Sequence, residues 1–347
     1  MTALATAIQP LWPLLEAYGE DPEPIFRAAG IDPAVLKRTN ARLTVEACRA
    51  IWLQASSRLA DPCFGVHYGE FWQPSMFGPL GYAWLTSKTL RQALDRFARY
   101  VDLVLERGAI ELDDLSNGDV RVALSYEGSP ITLPAIADSL LSLYVKLCRL
   151  NYGETFTPAL VTIMHSPPQV LGPYFEYFKC PVEFDSERDS MVISRSVIDA
   201  ELPSANPYLA NLNEQETVRI LAKLDKSRTV DRVKAAIIDE LANGNVGIDS
   251  VADKLNMSSR TLNRQLHQQG VTFKELLVET RLGLATAYLS DESISLTQIA
   301  FLLGFAEQAS FTRAYRRWTG HAPSEVRHQA AATNPTDTAD TALKSHI

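Results

Sequence analysis

The sequence predicts two differently built domains: an α+β domain over residues 1–205, then an all-α domain over 228–330 with two helix-turn-helix units joined by a long helix. Three observations predict this. At 347 residues the chain is too long for one ordinary core. Helical and alternating hydrophobic patterns are mixed up to about Leu202 and purely helical after it. Finally, "DSVADKLNMSSRTLNRQL" recurs as "LTQIAFLLGFAEQASFTRAYRRW", with Val251-Ala252 reappearing as Ile299-Ala300 and Leu255-Asn256-Met257 as Leu303-Gly304-Phe305.

In order along the chain, "TVEACRAIWLQASSRLA" (44–60) and "TLRQALDRFARYVDLVL" (89–105) carry apolar residues at helical spacing. "AIELDD" and "DVRVALSYE", separated by Ser-Asn-Gly, alternate instead and read as a strand pair around a tight turn. "IADSLLSLYVKLCRL" returns to helix, "ALVTIMH" reads as a strand, and "VEFDSERDSMVIS" as a second hairpin. Residues 206–227 read as a connection carrying a helix from about Pro207 to Leu224. Beyond it Val230, Val233, Ile237 and Leu241 form one helical stripe, and Asn243-Gly244 supplies a stop. The segment 331–347 is polar and reads as a mobile tail.

Composition excludes several classes. Apolar content of 46% and charged content of 21% suit a water-soluble globular chain. No stretch approaches the ~18 uncharged apolar residues that a membrane helix needs, and the N-terminus lacks the basic start of a secretory signal. Cys48, Cys63, Cys148 and Cys180 are scattered, which argues against zinc and disulfides and suits a reducing cytoplasm. The six histidines have no metal-ligand spacing, and no GxSxG, HExxH, P-loop or GxGxxG motif occurs, so no enzyme, metal or cofactor is expected. The net charge of −8 is uneven: residues 1–225 carry −9, residues 226–330 carry +2 and the tail carries −1. A weakly basic C-terminal region beside an acidic one hints at nucleic acid.

The repeat has a physical reading. Ala252 and Ala300 let a partner helix approach closely, and Asn256 and Gly304 suit a sharp reversal at positive φ. Ser258 is a good N-cap, and the pairs Leu262/Leu266 and Phe311/Tyr315 pin each second helix onto the first. At 100° per residue, Arg260, Asn263 and Arg264 then face outward in the first copy, with Ala309 and Arg313 outward in the second and Gln308 reaching forward. Arginine suits the O6/N7 edge of guanine and Asn or Gln the N6/N7 edge of adenine, so these six are candidate base readers. Ser259, Thr312, Arg316, Arg317 and Arg327 suit phosphate contact. A connecting helix over 273–289 would span roughly 25 Å and could set the two reading helices about one DNA turn apart.

These motifs resemble those of a known family. "SSRTLNRQLHQQGVTFKELLVETRLGLATAYL" followed by "SLTQIAFLLGFAEQASFTRAYRRWTGHAPSEVR" is similar to the DNA-binding domain of the AraC/XylS family of bacterial transcription regulators. The resemblance covers roughly residues 230–328 and implies the same base-reading set, although Ala309 stands where a polar residue is frequent. "MFGPLGYAWLTSKTLRQALDRFARYVDLV" resembles the effector domain of the subgroup with ornithine- and alkane-responsive regulators, not the strand-rich cupin barrel of the arabinose-responsive member. This implies a bacterial, cytoplasmic activator with promoter DNA, RNA polymerase and a small-molecule effector as partners, and a homodimer as one possible form. The alternative is a ligand-independent regulator or architectural DNA binder whose N-terminal domain serves only dimerisation.

Two readings stay open for the aromatic run "FGVHYGEFWQPSMFGPLGYAW". His67, Tyr68, Trp72 and Tyr82 either line an effector pocket or are core side chains with a satisfied histidine. His165, before Ser-Pro-Pro, reads as a loop residue, and 139–150 as a core helix or a self-association seam.

Overall fold

Alternation in the N-terminal half is realised as a mixed sheet in the computed structural model, which describes residues 1–126, 133–224, 229–241, 246–289 and 294–332. The chain divides into two compact units, with the break between Asn206 and Pro207.

The first unit opens with an antiparallel ribbon of β1 (Thr2–Leu4) on β2 (Arg42–Thr44), with α1 (Leu11–Ala17) and α2 (Pro22–Ala28) between them in sequence. Thr44 starts α3 (Val45–Arg58) by accepting from the Ala47 N–H at 3.1 Å. α4 (Pro79–Leu85) precedes α5 (Leu90–Tyr100), which Thr89 caps through the Gln92 N–H. β3 (Gly108–Asp114) and β4 (Val120–Tyr126) then pair antiparallel, as their alternation predicts. After α6 (Pro134–Tyr152) come β5 (Leu160–Thr162), α7 (Gly172–Phe178), β6 (Val182–Glu183), β7 (Ser190–Ile193) and α8 (Arg195–Ile198). Among the described residues the strand order is β3-β4-β7-β5-β6.

That order corrects one expectation. β6 and β7 are not a hairpin, because β5 lies between them, antiparallel to β7 and parallel to β6. Strand β7 is buried along its whole length, as suits a strand with neighbours on both edges.

The centre of this unit is α6. Its buried residues include consecutive runs such as Leu141 to Val145, so side chains are enclosed on every face. The segment 139–150 is therefore a core helix rather than a seam. A 3-10 helix, Phe64–Phe71, lies directly on it. A Cβ at Gly65 would come within 2.5 Å of the Ala135 carbonyl oxygen, and one at Gly69 within 2.6 Å of the Ser142 carbonyl oxygen. Only glycine permits so close an approach.

The second unit is helical throughout its described residues: α9 (Pro207–Leu224), α10 (Thr229–Leu241), α11 (Ile248–Lys254), α12 (Ser259–Gln268), α13 (Phe273–Leu289), α14 (Leu296–Leu302), α15 (Gln308–Thr319) and α16 (Pro323–Ala332). α9, read from the sequence as a connection, packs on α10 and α13 and places Arg219 against Asp239 at 3.3 Å. It belongs to the second unit. The core joins Val233 and Ile237 of α10, Leu284 and Ala285 of α13, and both repeats. The stop at Asn243-Gly244 and the tail beyond Ala332 lie outside the described residues.

Candidate nucleic-acid interface

Each repeat folds as two helices about a sharp reversal, and the reversal residues do what their chemistry suggests. Asn256 has φ 55° and Gly304 φ 71°, the left-handed region that Asn and Gly tolerate best. In both copies the residue after the turn donates its N–H to the buried alanine carbonyl: Met257 to Ala252 and Phe305 to Ala300, each at 2.9 Å. Ala252 and Ala300 are fully enclosed, as are Leu262, Leu266 and Phe311, with Tyr315 nearly so. The apolar pairs therefore hold α12 on α11 and α15 on α14.

What the pairs leave outside follows from helical geometry. Arg260, Asn263 and Arg264 are exposed on α12, as are Gln308, Ala309, Arg313, Arg316 and Arg317 on α15. Ser259 and Thr312 are half-buried. Ser258 caps α12 through the Thr261 N–H at 3.2 Å, and the neighbouring Ser259 donates to Asp249. On the second copy, Gln308 accepts from the Thr297 hydroxyl at 2.7 Å, tying the first turn of α15 to α14. Arg313 reaches Ser310 at 3.0 Å and Glu307 at 3.4 Å. No hydrogen bond or ion pair engages the side chains of Arg260, Asn263 or Arg264 among the described residues.

Arg327 stands apart from the other candidates. Its guanidinium is partly buried and donates to the Ile294 carbonyl at 2.8 Å, fastening α16 to the segment before α14. An arginine spent on an internal carbonyl is poorly placed for phosphate, so Arg327 is better described as a brace.

Sequence reasoning missed a second brace, Arg281 on α13. Its Nε donates to the Leu303 carbonyl at 2.9 Å, and its guanidinium lies 4.5 Å from the centre of the Phe305 ring. Burial holds its pKa below the ordinary arginine value. Arg281 thus clamps the second reversal to the connecting helix. An arginine interrupting the apolar run "LLVETRLGLA" was the available signal.

In the first unit the four aromatic-run candidates occupy different environments. Tyr68 is buried, packs 5.2 Å from Trp52 and donates to the Ala7 carbonyl. Trp72 is buried against Phe77 at 5.0 Å, and its indole Nε1 has no hydrogen-bond partner among the described residues. His67 is half-buried beside Glu70 at 3.0 Å, whereas Tyr82 is 46% exposed. The four differ in burial and in partners, and packing accounts for Tyr68.

A different polar cluster emerges. Asp138 on α6 is fully buried and faces the His165 Nε2 at 3.0 Å and the Tyr174 hydroxyl at 2.7 Å. His165 sits in a loop, as expected, but its ring turns inward, and its Nδ1 faces the Ser166 carbonyl at 3.0 Å. Both ring nitrogens thus meet acceptors, the arrangement of an imidazolium. Burial pulls the His165 pKa down, but the bonds to Asp138 and Ser166 outweigh it and leave the value raised.

A doubled helix-turn-helix with arginine-bearing outer faces, attached to a separate α+β unit, defines a DNA-binding transcription regulator. Comparison with known proteins agrees. Residues 19–202 match the model for the arabinose-binding N-terminal domain of the AraC transcription regulator, and residues 251–329 match that of a helix-turn-helix domain. The chain belongs to the AraC family of transcription regulators. It is 29% identical over 326 residues to the ornithine utilization regulator of Pseudomonas aeruginosa, covering 90% of this chain and 93% of that one. It is 26% identical over 327 residues to the regulator VirS of Mycobacterium tuberculosis, with coverage of 90% and 93%. The crystal structure of CdpR from Pseudomonas aeruginosa shares the fold, with a TM-score of 0.51 at 22% identity over 92% of this chain and 98% of that one. The relatives bear the names of regulators, and no described helix is long and apolar enough to cross a membrane.

Proposed function

We propose that the second unit reads promoter DNA with α12 and α15 in successive major-groove segments, and that an effector held by the first unit controls this binding. The observation that carries the reading is the shared outward register of Arg264 and Arg313, each two residues beyond a buried apolar anchor, Leu262 or Phe311. Arg260, Asn263 and Arg264 face base edges from α12, and Gln308, Ala309 and Arg313 from α15, with Ser259, Thr312, Arg316 and Arg317 toward phosphates. The methyl of Ala309 can meet only an apolar feature such as a thymine methyl. Promoter DNA and RNA polymerase are the macromolecular partners this reading implies, with a second copy of the chain as a third, in an activator acting in the cytoplasm.

Arg264→Ala or Arg313→Ala is expected to weaken binding to the cognate site by about 1–3 kcal/mol, with a much smaller loss on random DNA. Competition binding with both DNAs measures this, and equal losses on the two would end the base-reading role. Arg316→Ala should weaken all sequences alike and flatten the salt dependence by about one unit of slope, as a lost phosphate contact does. A salt titration of binding reads that slope.

For the effector, the unpaired buried N–H of Trp72 supports the reading, because such a donor is costly unless an acceptor reaches it. The similarity to a regulator of ornithine utilization makes amino acids the first class to test. A thermal-shift screen of amino acids, fatty acids and aromatic metabolites on the intact protein should reveal a compound that raises the melting temperature. If none does, the ligand-independent reading takes its place.

A further inference from the structure

Among the differences between the two repeats, the one at the residue that opens each second helix reaches a base-reading candidate. The residue that opens each second helix is Ser258 in the first copy and Glu307 in the second. Ser258 uses its side chain as N-cap residues ordinarily do, accepting from a backbone N–H of the first turn. Glu307 makes no such bond. Its carboxylate Oε1 instead accepts from the Ser310 hydroxyl at 3.0 Å and from Arg313 Nη2 at 3.4 Å, and the same Nη2 donates to Ser310 Oγ at 3.0 Å. Arg264, the counterpart of Arg313, has no such partner among the described residues.

We propose that Glu307 is a positioning residue that fixes the guanidinium of Arg313 and so sets the base specificity of the second recognition helix. The proposal rests on the reading of α15 as a DNA reader. Arginine has five N–H donors in a planar fork. Because the Glu307 and Ser310 oxygens are hydrogen-bonded to each other, one Nη2 hydrogen can face both. The other, beside Nη1, leaves the end of the fork for the two acceptors of a guanine edge. With both side chains largely exposed, 72% and 61%, the pair contributes little to folding in water. Its effect comes at the DNA, where the groove excludes water and a preset rotamer no longer has to be ordered on binding. The carboxylate also repels nearby phosphates, so Glu307 lowers affinity for every sequence while sharpening preference for one. The first helix carries no such device, so the two copies divide the work: α12 with free arginines, α15 with a held one.

The test uses the full chain and a set of duplexes covering the protected promoter, with each base pair replaced in turn. Binding is compared for wild type, Glu307→Ala, Glu307→Gln, Arg313→Ala and the double variant Glu307→Ala/Arg313→Ala. Arg313→Ala should lose about ten- to a hundredfold discrimination at one base pair. Glu307→Ala should lose a substantial part of that discrimination, about five- to tenfold, at the same base pair while binding random DNA more tightly. Glu307→Gln, which keeps an acceptor and removes the charge, should show the tighter random binding but retain most of the discrimination. In the double variant the two losses should not add. If Arg313→Ala leaves every preference unchanged, base reading by Arg313 fails. If Arg313→Ala behaves as expected but Glu307→Ala and Glu307→Gln shift all sequences equally, the positioning role is overturned while base reading stands. A preference change at a different base pair in Glu307→Ala would make Glu307 a direct reader and equally overturn the proposal.

Discussion

Asp138→Ala is expected to destabilise the N-terminal unit by about 3–5 kcal/mol, the cost of removing one partner from a buried ion pair. The carboxylate is wholly enclosed, and the His165 side chain is 16% exposed. Its loss leaves the His165 ring and the Tyr174 hydroxyl, both of which now point at Asp138, without their shared acceptor. The pH dependence has a definite sign. His165 has a raised pKa in the folded state, so its contribution is complete below the unfolded value of about 6.5 and is lost as pH rises through the folded value. Asp189, buried nearby with one carboxylate oxygen unpaired among the described residues, has its pKa raised by burial and acts in the same direction, starting at lower pH. Wild-type stability should therefore fall from mildly acidic toward alkaline pH, and Asp138→Ala should flatten the His165 part of that fall. Denaturant unfolding of the full chain measures both, with Trp12, Trp52, Trp72 and Trp84 in this unit as fluorescent reporters. A loss below about 1 kcal/mol, or an undiminished pH slope in the variant, would show that the pair is not the imidazolium–carboxylate that its hydrogen bonds describe.

No sequence pattern announces that pair. Asp138 and His165 are joined only by the packing of α6 against the loop after β5, and neither residue has a local signature. The DNA-binding unit was legible for the opposite reason. Its turns need Asn or Gly and its crossings need alanine, within a few residues of one another, and duplication prints both requirements twice, while the serine cap of the second helix appears in the first copy alone. The connecting helix runs from Phe273 to Leu289, as its apolar spacing indicates. Strand character was readable in the first unit, but strand partners were not, since alternation says which face is buried and not who lies alongside. Hence β6 and β7 looked like a hairpin until β5 came between them. The aromatic run was ambiguous because a core and a pocket draw on the same residues. Gly65 and Gly69, which bring that run against α6, were the better clue.

Phe311→Ala should cost the C-terminal unit about 3–5 kcal/mol, the range for a buried phenylalanine. The upper part of that range is expected because the cavity has little means of collapsing. The ring is fully buried between Phe305 at 5.8 Å and Tyr315 at 5.7 Å, and Phe305 is itself pinned beneath the Arg281 guanidinium. Its walls are therefore held by contacts that Phe311 does not make. Since a whole domain is stable by about 5–15 kcal/mol, such a loss should loosen α15 from α14 and abolish specific DNA binding. Arg313→Ala, two residues on and exposed, should leave unfolding within about 0.5 kcal/mol of wild type while removing base discrimination. The two variants separate the anchor from the reader on one helix. Helical circular dichroism through denaturation, paired with competition binding, distinguishes them. Were Phe311→Ala to retain full stability, or Arg313→Ala to unfold the unit, the inward and outward faces of α15 would have to be exchanged and the DNA-reading assignment would go with them.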